Sequence, residues 1–142
     1  MELKACDKND IPLLVEMNLE LHQDEKHDYI PPVQELERRL REAMDQGVKI
    51  YFFIYNGEIV GYTAVKVLVY EHYPPYIWHF FIKREHRRKG LGTLAIELLL
   101  KELKTDSLDL DVFVWNERGR SFWKSLGFRE RAVMMRKDPS FN

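Results

Sequence analysis

Ile82-Lys83-Arg84-Glu85-His86-Arg87-Arg88-Lys89-Gly90-Leu91-Gly92 joins a strand-like run to a helix-like run through a basic turn that holds two glycines. Upstream, Tyr76-Ile77-Trp78-His79-Phe80-Phe81-Ile82 is aromatic and β-branched, the composition of a buried strand. Downstream, Leu91, Leu94, Ala95, Leu98, Leu99 and Leu103 recur at helical spacing, with Glu97, Lys101 and Lys104 on the other side. Where a strand passes into a helix, the N–H groups of the first turn carry partial positive charge and can hold a phosphate. Gly90 and Gly92, having no Cβ, let the main chain approach an oxyanion closely. So short a motif also fits a solvated basic loop, and the flanking elements have to decide between the two.

After the helix, Leu108, Leu110, Val112 and Val114 alternate with Asp109, Asp111, Phe113 and Trp115, which predicts a strand over 108–115. Asn116-Glu117 is a good helix start, and the short helix through Phe122-Trp123 is stopped at Gly127, followed by Phe128. Strand, phosphate-type turn, helix, strand, Asn-capped helix and Gly-Phe form an ordered series far more specific than any one part.

That series resembles the GNAT-type N-acetyltransferase superfamily, through Arg87-x-x-Gly90-x-Gly92 and the segment from Asn116 to Gly127-Phe128. Gly119 stands where the family pattern has Ala, and Trp123 where it has Tyr. The resemblance covers residues 76–128, with a looser fit outside them. It implies an acyl-CoA-dependent N-acetyltransferase that moves an acetyl group from acetyl-CoA to a primary amine, with no metal. It also implies that the main chain of Phe80, Phe81 and Ile82 holds the pantetheine arm, and that Arg87, Arg88, Lys89, Gly90, Leu91, Gly92 and Thr93 hold the pyrophosphate. Asn116 and Trp123 are further cofactor-binding candidates. In the family the residue at Trp123 is the usual acid for the departing thiolate, a role an indole cannot play. A thiol pKa near 8.5 lets the thiolate leave with help from water alone.

Length and charge agree with one α/β domain of mixed type spanning 1–142: a central, mostly antiparallel sheet flanked by about four helices. The net charge of −1 argues against a general nucleic-acid binder, although five of the seven residues from Lys83 to Lys89 are Lys or Arg. A single cysteine, Cys6, excludes an internal disulfide framework. No apolar run approaches a bilayer span, and the first residues lack a signal-peptide core, so a cytoplasmic protein without membrane association is expected.

The first half supplies the rest of the fold. Asp10 opens an amphipathic helix through Leu21, and a second helix runs from Val33 to Gln46, placing Leu36, Leu40, Ala43 and Met44 inward before Gly47. Lys49–Tyr55 and Glu58–Val69 read as two strands joined by an Asn56-Gly57 hairpin turn. Only fourteen residues follow Phe128, enough for one strand around Ala132–Arg136. The acceptor pocket is then either open toward a large substrate or completed by a second subunit in a homodimer.

Three side chains are candidates for proton transfer. Asp111 is a carboxylate expected in the middle of a central strand, where it is either near a cleft or ion-paired. His79 has a suitable ordinary pKa, yet a histidine between aromatics in a strand is more often a hydrogen-bonded core residue. Tyr76 is the third. His22 and His27, with Asp24 and Glu25 between them, lack ordinary metal-ligand spacing and read better as a mobile acidic wall of the acceptor pocket or as a solvated connection. Glu71 and Tyr73 are offered from the opposite loop. The acceptor, a small molecule or a protein amine, is not encoded legibly. A coenzyme-A-binding sensor without turnover is the competing reading.

Overall fold

Asn56 and Gly57 both take positive φ, 51° and 76°, and close the tight turn between Lys49–Tyr55 (β2) and Glu58–Lys66 (β3). In the computed structural model this hairpin lies inside a five-stranded sheet of order β1-β2-β3-β4-β5, with Glu2–Ala5 as β1, Tyr76–Ile82 as β4 and Asp109–Leu110 as β5. The first three pairings are antiparallel, and β4 with β5 is parallel. The α-helices among the described residues are Ile11–Asp24 (α1), Val33–Asp45 (α2), Leu91–Leu103 (α3) and Glu117–Ser125 (α4). This is the mixed, mostly antiparallel α/β class expected. The structure describes residues 1–67 and 72–139, which fall into two compact units, Met1–Asp111 and Val112–Asn142.

In the first unit, β2 is buried on both faces, which is why it reads as an unbroken apolar run rather than an alternation. Ile50 and Phe52 join Ile11, Leu14, Met17, Leu36 and Leu40 on the face covered by α1 and α2. Phe53 packs with Val60, Ile82, Leu91 and Ala95 on the α3 face. Each such aromatic or branched side chain contributes about 1.5–3 kcal/mol when fully buried. Asp10 starts α1 without capping it. Its carboxylate instead accepts from the Asp7 N–H, while Asp7 accepts from Asn9 N–H, so the reciprocal box belongs to the 3₁₀ turn just before the helix.

Two register shifts shape the sheet. Val60 is the extra residue on β3 opposite Phe53 and Ile54, and Trp78 is the extra residue on β4 opposite Ala64 and Val65. Gly61 is required by contact rather than by its dihedral angles, because a Cβ there would lie 2.0 Å from the Phe81 carbonyl oxygen.

The second unit is organised by its helix. The Asn116 carbonyl oxygen Oδ1 accepts from the Gly119 N–H at 3.0 Å. A Cβ on residue 119 would meet that Asn116 side chain at 2.4 Å, so the Asn116 amide would have to shift to admit an alanine. At the other end Gly127 takes φ +92°, Phe128 N–H donates to Trp123 O and Gly127 N–H to Lys124 O. The Trp123 and Phe128 rings pack at 5.1 Å, completing a Schellman closure with its hydrophobic contact.

One strand was missed and three expectations are corrected. β1 was not anticipated: it is a short, largely exposed edge with one inward apolar side chain, Leu3. The strand over 108–115 shrinks to Asp109–Leu110 at the sheet edge, so Asp111 lies beyond an edge strand rather than within a central one. Ala132–Arg136 forms no strand; Val133, Met134 and Met135 are exposed, and apolar alternation without a hydrogen-bonded neighbour does not make a strand. β3 ends at Lys66, and of the rest of the run to Val69, Leu68 and Val69, like Glu71, lie outside the described residues.

Candidate functional site

β4 runs into the basic turn, and the turn bends by main-chain conformation. Arg84–His86 form one 3₁₀ turn, after which Arg88 (φ 63°) and Gly90 (φ 74°) both adopt the left-handed region. Such reversals direct successive amides toward one point. Gly90 precedes α3 with no side-chain cap, and a Cβ built on it meets nothing within 4 Å, so the main chain here faces open space. Arg88, Lys89 and Gly90 are exposed, whereas Leu91 is buried and anchors the helix start.

Arg87 is engaged elsewhere. Its Nε donates to the Ile82 carbonyl at 2.7 Å and its Nη2 to Asp24 Oδ2 at 2.5 Å, while the guanidinium stands 5.4 Å from the Phe81 ring centroid. Arg84 donates to Asp24 Oδ1 at 3.1 and 2.6 Å. Asp24, 10% exposed in its side chain, therefore ties the end of α1 to the turn instead of forming a mobile wall. Burial alone would raise its carboxyl pKa, but the hydrogen bonds from Arg87 and Arg84 outweigh this and hold it below the ordinary value. Glu25 pairs with His27 at 2.9 Å.

The edge of β4 away from β3 is covered only briefly. β5 pairs with Tyr76 and Ile77, and its two-residue ladder stops there. Phe80, Phe81 and Ile82 pair with Thr63, Tyr62 and Gly61 of β3. At the mouth of this stretch the Tyr76 hydroxyl donates to Asp111 Oδ2 at 2.6 Å. Burial, then the hydrogen bond to Asp111, pushes the Tyr76 pKa well up, so the phenol stays protonated.

His79 points into the α1 side of the sheet. It is 9% exposed, stacks on Trp78 at 3.9 Å, and its Nδ1 meets the Tyr62 hydroxyl at 3.1 Å. Burial lowers its pKa to about 3, so the ring is neutral. Asn18, Tyr62 and His22 belong to the same buried group, which sequence reasoning missed because α1 and the strands meet only in the fold. Also missed is a recess of about 240 Å³ beside the turn, lined by Tyr55, Asn56, Glu58, His86, Lys89 and Leu91. The aromatic and Asn-Gly signals around residue 55 carried no hint of it. Tyr73 is exposed, and in the second unit Asn116 is committed to its cap while Trp123 packs on Phe128. Among the described residues no cluster of three metal-ligating side chains occurs, and no helix is long and apolar enough to cross a membrane.

In class, this is an α/β fold in which β4, paired with β5 only at its start, leads into a basic strand-to-helix elbow. The model of the acetyltransferase (GNAT) family matches residues 18–128, and the chain belongs to that family. Among solved structures, a possible acetyltransferase from Clostridium difficile 630 is similar at 13% identity and TM-score 0.78, over 99% of this chain and 98% of that one. A predicted acetyltransferase from Clostridium acetobutylicum, crystallised with acetyl-CoA, aligns at 19% identity and TM-score 0.74, over 96% and 95% of the two chains. An acetyltransferase from Thermus thermophilus aligns at 23% identity and TM-score 0.76, over 90% of this chain and 86% of that one. These likenesses are of fold. No curated protein matches the chain in sequence.

Proposed function

We propose that residues 1–142 act as one N-acetyltransferase domain that moves the acetyl group of acetyl-CoA to a primary amine by direct attack on the thioester. The observation that carries this is continuous: a β4 strand that β5 pairs with only at Tyr76 and Ile77, running straight into an elbow with left-handed Arg88 and Gly90. An amide-bearing arm can add to β4 as a strand would, and a diphosphate can lie on the uncapped first turn of α3. The open space in front of Gly90 fits such a group. Arg88 and Lys89 supply exposed positive charge, while Arg87, held by Asp24 and Ile82, keeps the elbow in shape. A cytoplasmic setting and a homodimer belong to the same reading.

Holding the thioester beside a positioned amine replaces an encounter of two solutes by a local reaction. Asp111 orients the Tyr76 hydroxyl where β4 loses its β5 neighbour. With a thiol pKa near 8.5 the thiolate leaves without a general acid and takes its proton from solvent afterwards.

The test is calorimetry with coenzyme A, followed by thiol release from acetyl-CoA in the presence of spermidine, lysine and glycylglycine. Coenzyme A binding with amine-dependent thiol release is expected. Binding without release for any amine would favour a sensor, and absence of binding would remove the reading altogether.

A further inference from the structure

We propose that Asn18 fixes two buried imidazoles in opposite tautomers, making His22 the base that takes the proton of the amine acceptor and His79 a neutral hydrogen-bond donor. This rests on the acyl-transfer reading above. Asn18 and His22 lie one turn apart on α1, and His22 Nδ1 is 2.9 Å from the Asn18 main-chain oxygen. A carbonyl can only accept, so the His22 proton sits on Nδ1 and the lone pair on Nε2. The Asn18 side-chain Nδ2 can only donate. It donates to the Tyr62 hydroxyl at 3.0 Å and comes within 3.5 Å of His79 Nδ1. The Tyr62 proton is thereby directed to His79 Nδ1 at 3.1 Å, which must present a lone pair, and the His79 proton is on Nε2.

The four residues are 2%, 7%, 0% and 9% exposed for Asn18, His22, Tyr62 and His79, so the arrangement is held by the core with only small edges left accessible. Neither imidazole Nε2 has a hydrogen-bond partner among the described residues, and no buried side-chain nitrogen or oxygen there lacks one. Both Nε2 atoms therefore reach accessible space, one as acceptor and one as donor. His79 directly follows Trp78, the bulge residue on β4. The charges facing this cluster are His27 and Glu25 beyond α1, Arg39 on α2 and Lys66 on β3. Burial lowers the pKa of His22 and outweighs the hydrogen bond to the Asn18 carbonyl, which raises it, so the lone pair stays available at neutral pH.

In the step itself the amine nitrogen forms a bond to the thioester carbon, and the carbon–sulfur bond breaks with its electron pair going to sulfur. His22 Nε2 receives the amine proton and returns it to solvent, and the thiolate takes a proton from water.

Nitrogen-resolved NMR of the imidazoles in the full chain reads the tautomers without any acyl donor: Nδ1–H for His22 and Nε2–H for His79 are expected. Asn18→Leu should erase that opposition. His22→Asn keeps a donor toward the Asn18 oxygen but has no base. With acetyl-CoA and whichever of spermidine, lysine or glycylglycine turns over fastest, it should lower kcat by about 10²–10⁴-fold and remove the acidic limb of the kcat/KM profile. Its affinity for coenzyme A should stay unchanged. A proton on His22 Nε2, or an unchanged acidic limb in a variant that binds coenzyme A normally, would overturn the base assignment alone. A wild-type chain that bound no coenzyme A would overturn the acyl-transfer reading and the assignment with it.

Discussion

The elbow at Arg84–Gly92 and the buried group of Asn18, Tyr62, His22 and His79 sit at opposite ends of one physical scale. The elbow works through exposed main chain and two left-handed residues, so it is open to solvent and tolerant of most side chains that do not fill the space before Gly90. The buried group works through side-chain atoms that satisfy one another, with only the two imidazole Nε2 atoms left to reach accessible space. Damage at the first should register as lost affinity, and damage at the second as lost stability, altered protonation or, at His22, lost turnover.

Acid exposes the contrast most strongly. With a folded pKa of about 3 against an ordinary value near 6.5, the unfolded chain binds a proton at His79 that the folded chain refuses. That stability is complete above pH 6.5 and falls below it, approaching about 1.4 kcal/mol per pH unit. Urea unfolding between pH 7 and 4 measures it, and His79→Leu should flatten the limb. Next in size, Gly90→Asp sets a carboxylate before the phosphate site and should weaken coenzyme A binding by about 100-fold or more, about 2.7 kcal/mol. Its melting temperature should change little, and a collapse of stability there would erase the distinction drawn above. Tyr62→Phe should do the reverse: about 1–3 kcal/mol lost in denaturant, because Asn18 Nδ2 and His79 Nδ1 lose a partner, with coenzyme A affinity unchanged in calorimetry. Smallest is Asp24→Asn, which loosens the elbow from α1 and should weaken coenzyme A binding a few-fold. Since the Asp24 carboxyl is depressed in the fold, its contribution is present above the ordinary carboxylate pKa and lost as pH falls through the folded one. The difference between wild type and Asp24→Asn should therefore vanish in strong acid.

The elbow was legible in the sequence because its determinants are local. Glycine at 90 and 92, basic residues before them and helical spacing after them all lie within one short window. The hairpin at Asn56-Gly57 and the end of α2 at Gly47, φ +86°, were legible for the same reason. The buried group was not, since Asn18 meets Tyr62 and His79 across 44 and 61 residues of chain. Asp24 likewise read as a solvated acid because its partners Arg84 and Arg87 come from another element. The alternation at 108–115 misled in the opposite direction: it gives the side-chain pattern of a strand, but pairing with β4 extends only over Asp109 and Leu110.

Trp78, stacked 3.9 Å from His79 at an angle of 25°, gives the molecule an optical gauge. A charged imidazole quenches indole emission where a neutral one does not. In a chain whose other two tryptophans, Trp115 and Trp123, are replaced by Phe, fluorescence would report the charge state of that ring directly, in real time and on micrograms of material.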